Sequence, residues 1–291
     1  MSEAAISFDC GGDPLVGILH LPPHPRKRGI VMVVGGGPQY RAGGHRQLTL
    51  WSRALCEQGY AVMRFDYRGM GDSHGPFRGF TDVDDDIRSA VDRFVAAVPE
   101  LQEVVLWGEC DASSAILLYA YRDRRVKAAV LLNPWVRTEA VAAQAILRFY
   151  YVQRLMQPAF WKKLFSGKLD LAESLRSGWA LVKQSRRSSG APAAPAPATA
   201  LDAPIPRHLP LAESLLIGLS RFGGPIMLVL SGRDLIAREF DVLTTSSPAW
   251  RQAMKDKAVT RFDMTEGDHT FSSAAQRARV VEWGLEWLGR W

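Results

Sequence analysis

Cys110 stands at a point where an apolar run, residues 104–107, gives way to a helix-forming run, and small residues lie two positions to either side, Gly108 and Ala112. Strand, sharp turn, helix is the order that forces a central residue into a strained backbone conformation and projects its side chain at a helix N-terminus. Unpaired N–H groups and the positive end of the helix dipole then face the sulfur, which predicts a favoured thiolate, the nucleophilic form. Glu109 works the other way, since a carboxylate turned toward the sulfur would raise its pKa. A lone cysteine ordinarily reads as a small buried hydrophobe. The order of its partners gives this one a chemical reading.

Asp234 and His269 follow in the order nucleophile, acid, histidine, each just past a run that reads as a strand. His269 would take the thiol proton and then activate water, while Asp234 would hold the other ring nitrogen and stabilise the imidazolium. The developing oxyanion would rest on the backbone N–H of Asp111 and on one from the glycine run 35–37. Pro38 has no N–H, which leaves Gly37 or Gln39 for that second donor. Gly36, His45 and Arg46, in and after the glycine run, and Trp135, beyond the strand 126–132, are the expected substrate contacts. His20, His24, His74 and His208 lack such placement, Asp241 and Asp263 are fallback acids, and Asp268 reads as a loop-fixing residue. Ser113 and Ser114 fall inside the helix, where a hydroxyl packs or bonds to backbone.

The elements that must position these groups alternate regularly. Residues 4–8 and 15–21 read as antiparallel strands across a Gly-Gly-Asp-Pro turn, and 29–34, 60–65, 104–107, 126–132, 225–230 and 259–262 as further strands. Helices are expected over 46–58, from a Thr81 cap to about residue 98, from 112 to 121, and at the C-terminus. Such alternation argues for an α/β fold with a mostly parallel eight-stranded sheet and helices on both faces. In a parallel sheet the strand ends share one rim, so residues 110, 234 and 269 can meet. The core domain is expected over 1–135 and 221–291.

The alternation lapses over 136–220, which reads as an inserted helical cap with an Ala/Pro-rich linker near 184–206. Its aromatic residues, among them Phe149, Tyr151, Trp161 and Trp179, would form the cap's own core or line an acyl pocket. Eleven Lys/Arg stand there against five Asp/Glu, so the whole net charge of +6 sits in this segment. The bases could meet phosphates on an acyl carrier or only water.

With 291 residues, 47% hydrophobic and 23% charged, the chain has the composition of a globular domain. No apolar run reaches the length of a membrane span, and residues 1–14 lack a signal pattern, so a cytoplasmic protein without membrane insertion is expected. Three widely spaced cysteines, Cys10, Cys56 and Cys110, suggest neither disulfides nor a metal cluster. The acids at 82–86 are explained by a helix dipole rather than a cation. No cofactor, no metal and no nucleic acid is expected, and the oligomeric state is left open.

Cap excepted, the chain resembles the α/β-hydrolase superfamily, and the Gly-x-Cys turn is similar to its thiol-dependent branch, typified by dienelactone hydrolases. More narrowly, Gly-Gly-Gly-Pro-Gln-Tyr-Arg at 35–41 and Trp-Gly-x-Cys-Asp-Ala at 107–112 resemble the exosortase A system-associated hydrolases of exopolysaccharide loci. Those usually carry Ser and Gly where this chain has Cys110 and Ala112. The expected activity is hydrolysis of a small-molecule thioester or activated ester through an acyl-cysteine. Transfer to a sugar or lipid hydroxyl, or non-catalytic binding, are the alternatives.

Overall fold

In the computed structural model, which describes residues 1–37, 39–136 and 203–290, strands β1 (Ser2–Cys10) and β2 (Asp13–Leu21) form an antiparallel hairpin. Gly11 and Gly12 make its turn with φ of 65° and 92°, a region glycine enters without steric cost. Of the cap expected over 136–220, residues 137–202 with the aromatic and Ala/Pro-rich stretches lie outside the described residues, as does Pro38.

Six further strands follow: β3 (Arg28–Val33), β4 (Val62–Asp66), β5 (Glu103–Glu109), β6 (Val126–Leu132), β7 (Ile226–Ser231) and β8 (Val259–Met264). The sheet order is β1-β2-β4-β3-β5-β6-β7-β8, and every pair from β4 onward is parallel. β4 and β7 are buried along their whole length, which is why β7 reads as a continuous apolar run up to Leu230, whereas β4 also buries the charged Arg64 and Asp66.

Among the described residues the helices are α1 (Gln47–Glu57), α2 (Asp84–Ala97), α3 (Asp111–Tyr119), α4 (Leu211–Arg221), α5 (Leu235–Ser246), α6 (Pro248–Asp256) and α7 (Ala274–Leu288). α1 packs on α7, and α3 on α2 and α4. Between α1 and β5, Trp51 meets Trp107 and Phe271 with ring centroids 6.1 Å apart in each case. Gly284 of α7 presses on the same Trp107, so closely that a Cβ there would lie 2.5 Å from the indole. The central strand is thus clamped by aromatic rings directly behind the turn that carries Cys110.

Three expectations change. Thr81 lies in a short 3-10 turn, and α2 starts after Val83 without a side-chain cap. α4, counted with the insertion, packs on α3 instead, and a Cβ on its Gly218 would stand 2.0 Å from Leu117 O. α5 and α6 add two helices between β7 and β8 that no periodic run announced.

Candidate active site

At Cys110 the backbone takes φ 58° and ψ −126° between β5 and α3. For a residue with a Cβ this conformation costs on the order of 1–3 kcal/mol, so its surroundings must enforce it. Cys110 N–H donates to Leu132 O at 2.8 Å, and Cys110 O accepts from Trp135 N–H and Ser113 N–H, both at 3.1 Å. Both hydrogen-bonding sides of the residue are therefore tied down, one of them to β6. Gly108 must be glycine, because a Cβ would meet Ala112 C at 2.9 Å and Ile116 Cδ1 at 2.7 Å. Ser113 Oγ donates to Gly108 O at 2.8 Å and accepts from Leu132 N–H at 3.0 Å, and Ser114 Oγ donates to Trp135 O. Both hydroxyls are spent on backbone.

Asp234 ends the turn after β7 and caps α5, its carboxylate accepting from Ile236 N–H and Ala237 N–H at 3.1 Å each. The same carboxylate lies 2.8 Å from His269 Nδ1. A carboxylate only accepts, so Nδ1 carries the hydrogen and Nε2 is left with its lone pair. Asn133, at φ 46°, ties this histidine to the sheet: its Nδ2 donates to His269 O and to Ser231 Oγ, 2.9 Å each, and its Oδ1 accepts from Ser231 N–H at 2.8 Å. Ser231 Oγ in turn donates to Asp268 O at 2.9 Å. Asp268 fixes its own loop by accepting from Ser272 N–H at 2.9 Å.

On the opposite side of Cys110, the loop after β3 runs so close to the α3 turn that a Cβ on Gly35 would lie 2.5 Å from Glu109 O. Gly36 and Gly37 follow with φ of 90° and 78°. Gly36 N–H donates to Asp111 Oδ1 at 2.6 Å. Arg41 secures the far end of this loop through Asp66 and through Asp72, the latter at 2.8 Å.

Cys110 and His269 line one cavity of about 570 Å³, together with Gly36, Gly37, Gln39, Asp111 and Trp135. Seven of the ten expected site residues thus share its wall, and Asp234 stands behind His269. His45 and Arg46 do not line it: they occupy a left-handed kink before α1, and Gln47 and Gly44 reach the wall in their place. Among the described residues no hydrogen bond joins Cys110 to His269; contacts of this kind commonly tighten only around a substrate.

The buried Gln47 on this wall escaped the sequence reading. Gln47 is buried in the first turn of α1, a polar residue on the face that carries Leu48, Trp51 and Leu55, and that position was its signal. It donates to Glu109, whose carboxyl is also buried. Burial first, then the Asp234, Asp268 and Asp111 carboxylates, push the Glu109 carboxyl well above its usual range. Burial and the same acidic surroundings, Asp111 foremost, push the Cys110 thiol up to about 12, opposed by the Asp111 N–H. The expected resting thiolate is overturned: loss of water and nearby carboxylates outweigh the helix end. Burial raises the Asp111 carboxyl, while the N–H groups of Gly36, Ala112, Asp111 and Gly37 pull it back.

A mostly parallel eight-stranded sheet covered on both faces, with a strained turn after β5 and an Asp and a His in the loops after β7 and β8, is the architecture of the α/β-hydrolases. Residues 25–187 match the family described as serine aminopeptidase, S33, over more than half of the chain, and the chain belongs to that family. The fold is also that of an esterase from Pyrococcus furiosus, superposed over 100% of this chain and 91% of the other at a TM-score of 0.65 and 14% identity. The esterase domain of a Rhodothermus marinus protein covers 98% of this chain and 97% of its own, with a TM-score of 0.56 and 20% identity. The quorum-quenching protein AidA of Acinetobacter baumannii strain MDR-ZJ06 is 30% identical over 114 residues, 36% of this chain. The chain spans about a third, 35%, of that relative's length. No helix among the described residues is long and apolar enough to cross a membrane.

Proposed function

We propose that this chain hydrolyses a thioester or activated ester through an acyl-Cys110 intermediate. The reading is carried by one observation: a sulfur held at φ 58° on the wall of a cavity it shares with an imidazole whose Nδ1 is bound to Asp234 at 2.8 Å. With the thiol neutral at rest, His269 Nε2 acts as general base: it accepts the proton as Sγ bonds to the carbonyl carbon. The oxyanion that forms is held by the N–H of Asp111 and of Gly37 or Gln39, each donor worth roughly 3 kcal/mol. Collapse breaks the bond to the leaving oxygen or sulfur, which takes the proton from His269. Water, losing a proton to the same nitrogen, then adds to the acyl carbon; the C–S bond breaks, the acid leaves and Cys110 Sγ takes the proton back from His269.

The two motifs at 35–41 and 107–112 support a place beside the exosortase A system-associated hydrolases and a role in exopolysaccharide metabolism. Residues 137–202, with their excess of bases, would form a cap contributing to acyl or carrier recognition. Non-catalytic binding is the second reading, favoured by the thiol's position near pKa 12.

Mass spectrometry of the intact protein exposed to a panel of acyl thioesters and p-nitrophenyl esters separates the two. The expected result is an acyl adduct on Cys110 that turns over in the wild type, is absent in Cys110→Ala, and forms at least about a hundredfold more slowly in His269→Ala. Turnover that survives in Cys110→Ala, or no adduct with any acyl donor, overturns the proposal.

A further inference from the structure

The Gly36 N–H, beside the donors that this chemistry needs, is not vacant in the resting chain. Asp111 follows the nucleophile directly, and its side chain folds back across the gap between the α3 turn and the loop after β3. There Oδ1 accepts from Gly36 N–H at 2.6 Å. It lies so near Gly35 that a Cβ on that residue would be 2.4 Å away. The N–H groups of Gly37, Ala112 and Asp111 itself also bear on the carboxyl. Gly36 and Gly37 take φ of 90° and 78°, a region that only glycine enters without steric cost, so the loop keeps its backbone close to this carboxylate.

We propose that the Asp111 carboxylate is an internal occupant of the oxyanion cradle, which the carbonyl oxygen of a substrate must displace before Cys110 can attack. The inference rests on the acyl-Cys110 reading for its meaning but on the Gly36 contact for its geometry. Occupancy and thiol reactivity are coupled. While the carboxylate sits beside the sulfur, its charge opposes the thiolate; once it swings into the cavity, the cradle is open and that opposition weakens. A neutral ester suffices to displace it, but an acyl group bearing its own anion next to the carbonyl would meet the displaced carboxylate. The site therefore selects uncharged or cationic acyl groups at that position.

The groups facing Cys110 and Asp111 are Glu109 from β5, Tyr67 after β4, Asp234 at the head of α5 and His269 after β8. Asp111→Asn keeps an acceptor for Gly36 and removes only the charge; Asp111→Ser also withdraws the acceptor. Iodoacetamide is uncharged, so its encounter with the sulfur is insensitive to the substitution. Alkylation of Cys110 in the full chain, followed by mass spectrometry across pH, is expected to run about tenfold faster at pH 8 in Asp111→Asn, a displacement of about one pKa unit. With p-nitrophenyl acetate, KM is expected to fall in both variants, more in Asp111→Ser. An alkylation profile coincident with the wild type, or a raised KM, overturns the proposal. So does loss of the cooperative melting transition in both variants, which would make the carboxylate a structural brace. Absence of any acyl adduct in the wild type would sink the esterase reading, whereas the alkylation profile still decides the occupancy of the cradle.

Discussion

Glu109 shows how a buried carboxyl beside Cys110 shapes the protein's response to pH. Its neighbours are Gln47, which donates to it, and the Asp234, Asp268 and Asp111 carboxylates, so water and cations that would favour its charge are excluded. A carboxyl whose pKa is raised by folding adds stability that is complete below its unfolded value and is lost as pH rises through the folded one. Glu109→Gln removes that loss. Urea unfolding at pH 5 and pH 8 is expected to show the variant gaining on the wild type as pH rises; a constant or shrinking gap would contradict the burial argument. Cys110 belongs to the same acidic pocket, which together with burial pushes its thiol up.

At the scale of elements, the rim is held by bonds between strand ends rather than by any one strand. Asn133 joins the end of β6 to Ser231 at the end of β7 and to the carbonyl of His269 after β8. Asn133→Asp keeps the accepting oxygen and the tolerance for positive φ but cannot donate to His269 O when ionised. It is expected to cost about 1–3 kcal/mol in thermal unfolding and to lower kcat at least tenfold, with KM less affected. Unchanged kcat would show that the histidine loop is fixed elsewhere. The strands themselves were legible because buried parallel strands are continuous apolar runs, and 126–132 matches β6 at both ends. The turn at Cys110 was legible from its small flanking residues. Asn133 was not, because its partners lie 98 and 136 residues away. Nor was the placement of the Asp111 carboxylate, which depends on a side-chain torsion rather than on spacing. His45 and Arg46 were assigned to the wall by proximity in sequence, but the kink before α1 turns Gln47 there instead.

For the molecule as a whole, the junction between the antiparallel edge and the parallel body is a point of acid sensitivity. His20 on β2 is fully buried, and its Nε2 accepts from Arg64 Nε on β4 at 3.0 Å. Burial and the Arg64 guanidinium hold its pKa down at about 4, below the ordinary 6.5. Neutral His20 therefore stabilises the fold fully above pH 6.5, and that contribution is lost as pH falls toward 4. The loss amounts to up to about 3 kcal/mol. Chemical denaturation between pH 7 and 4 is expected to show a shallower decline in His20→Gln than in the wild type; parallel declines would place the acid weakness elsewhere. The junctions at 136 and 203 are anchored in a different way. Val136 is buried, and Ala203 O accepts from Tyr121 OH at 3.0 Å and Arg221 Nη1 at 2.7 Å. Because both roots of the intervening segment are fastened to the scaffold, its length and content can drift or be exchanged without disturbing the register of β6 and β7. The scaffold thus offers two fixed roots, one at each end of that segment, set apart from the sulfur and imidazole.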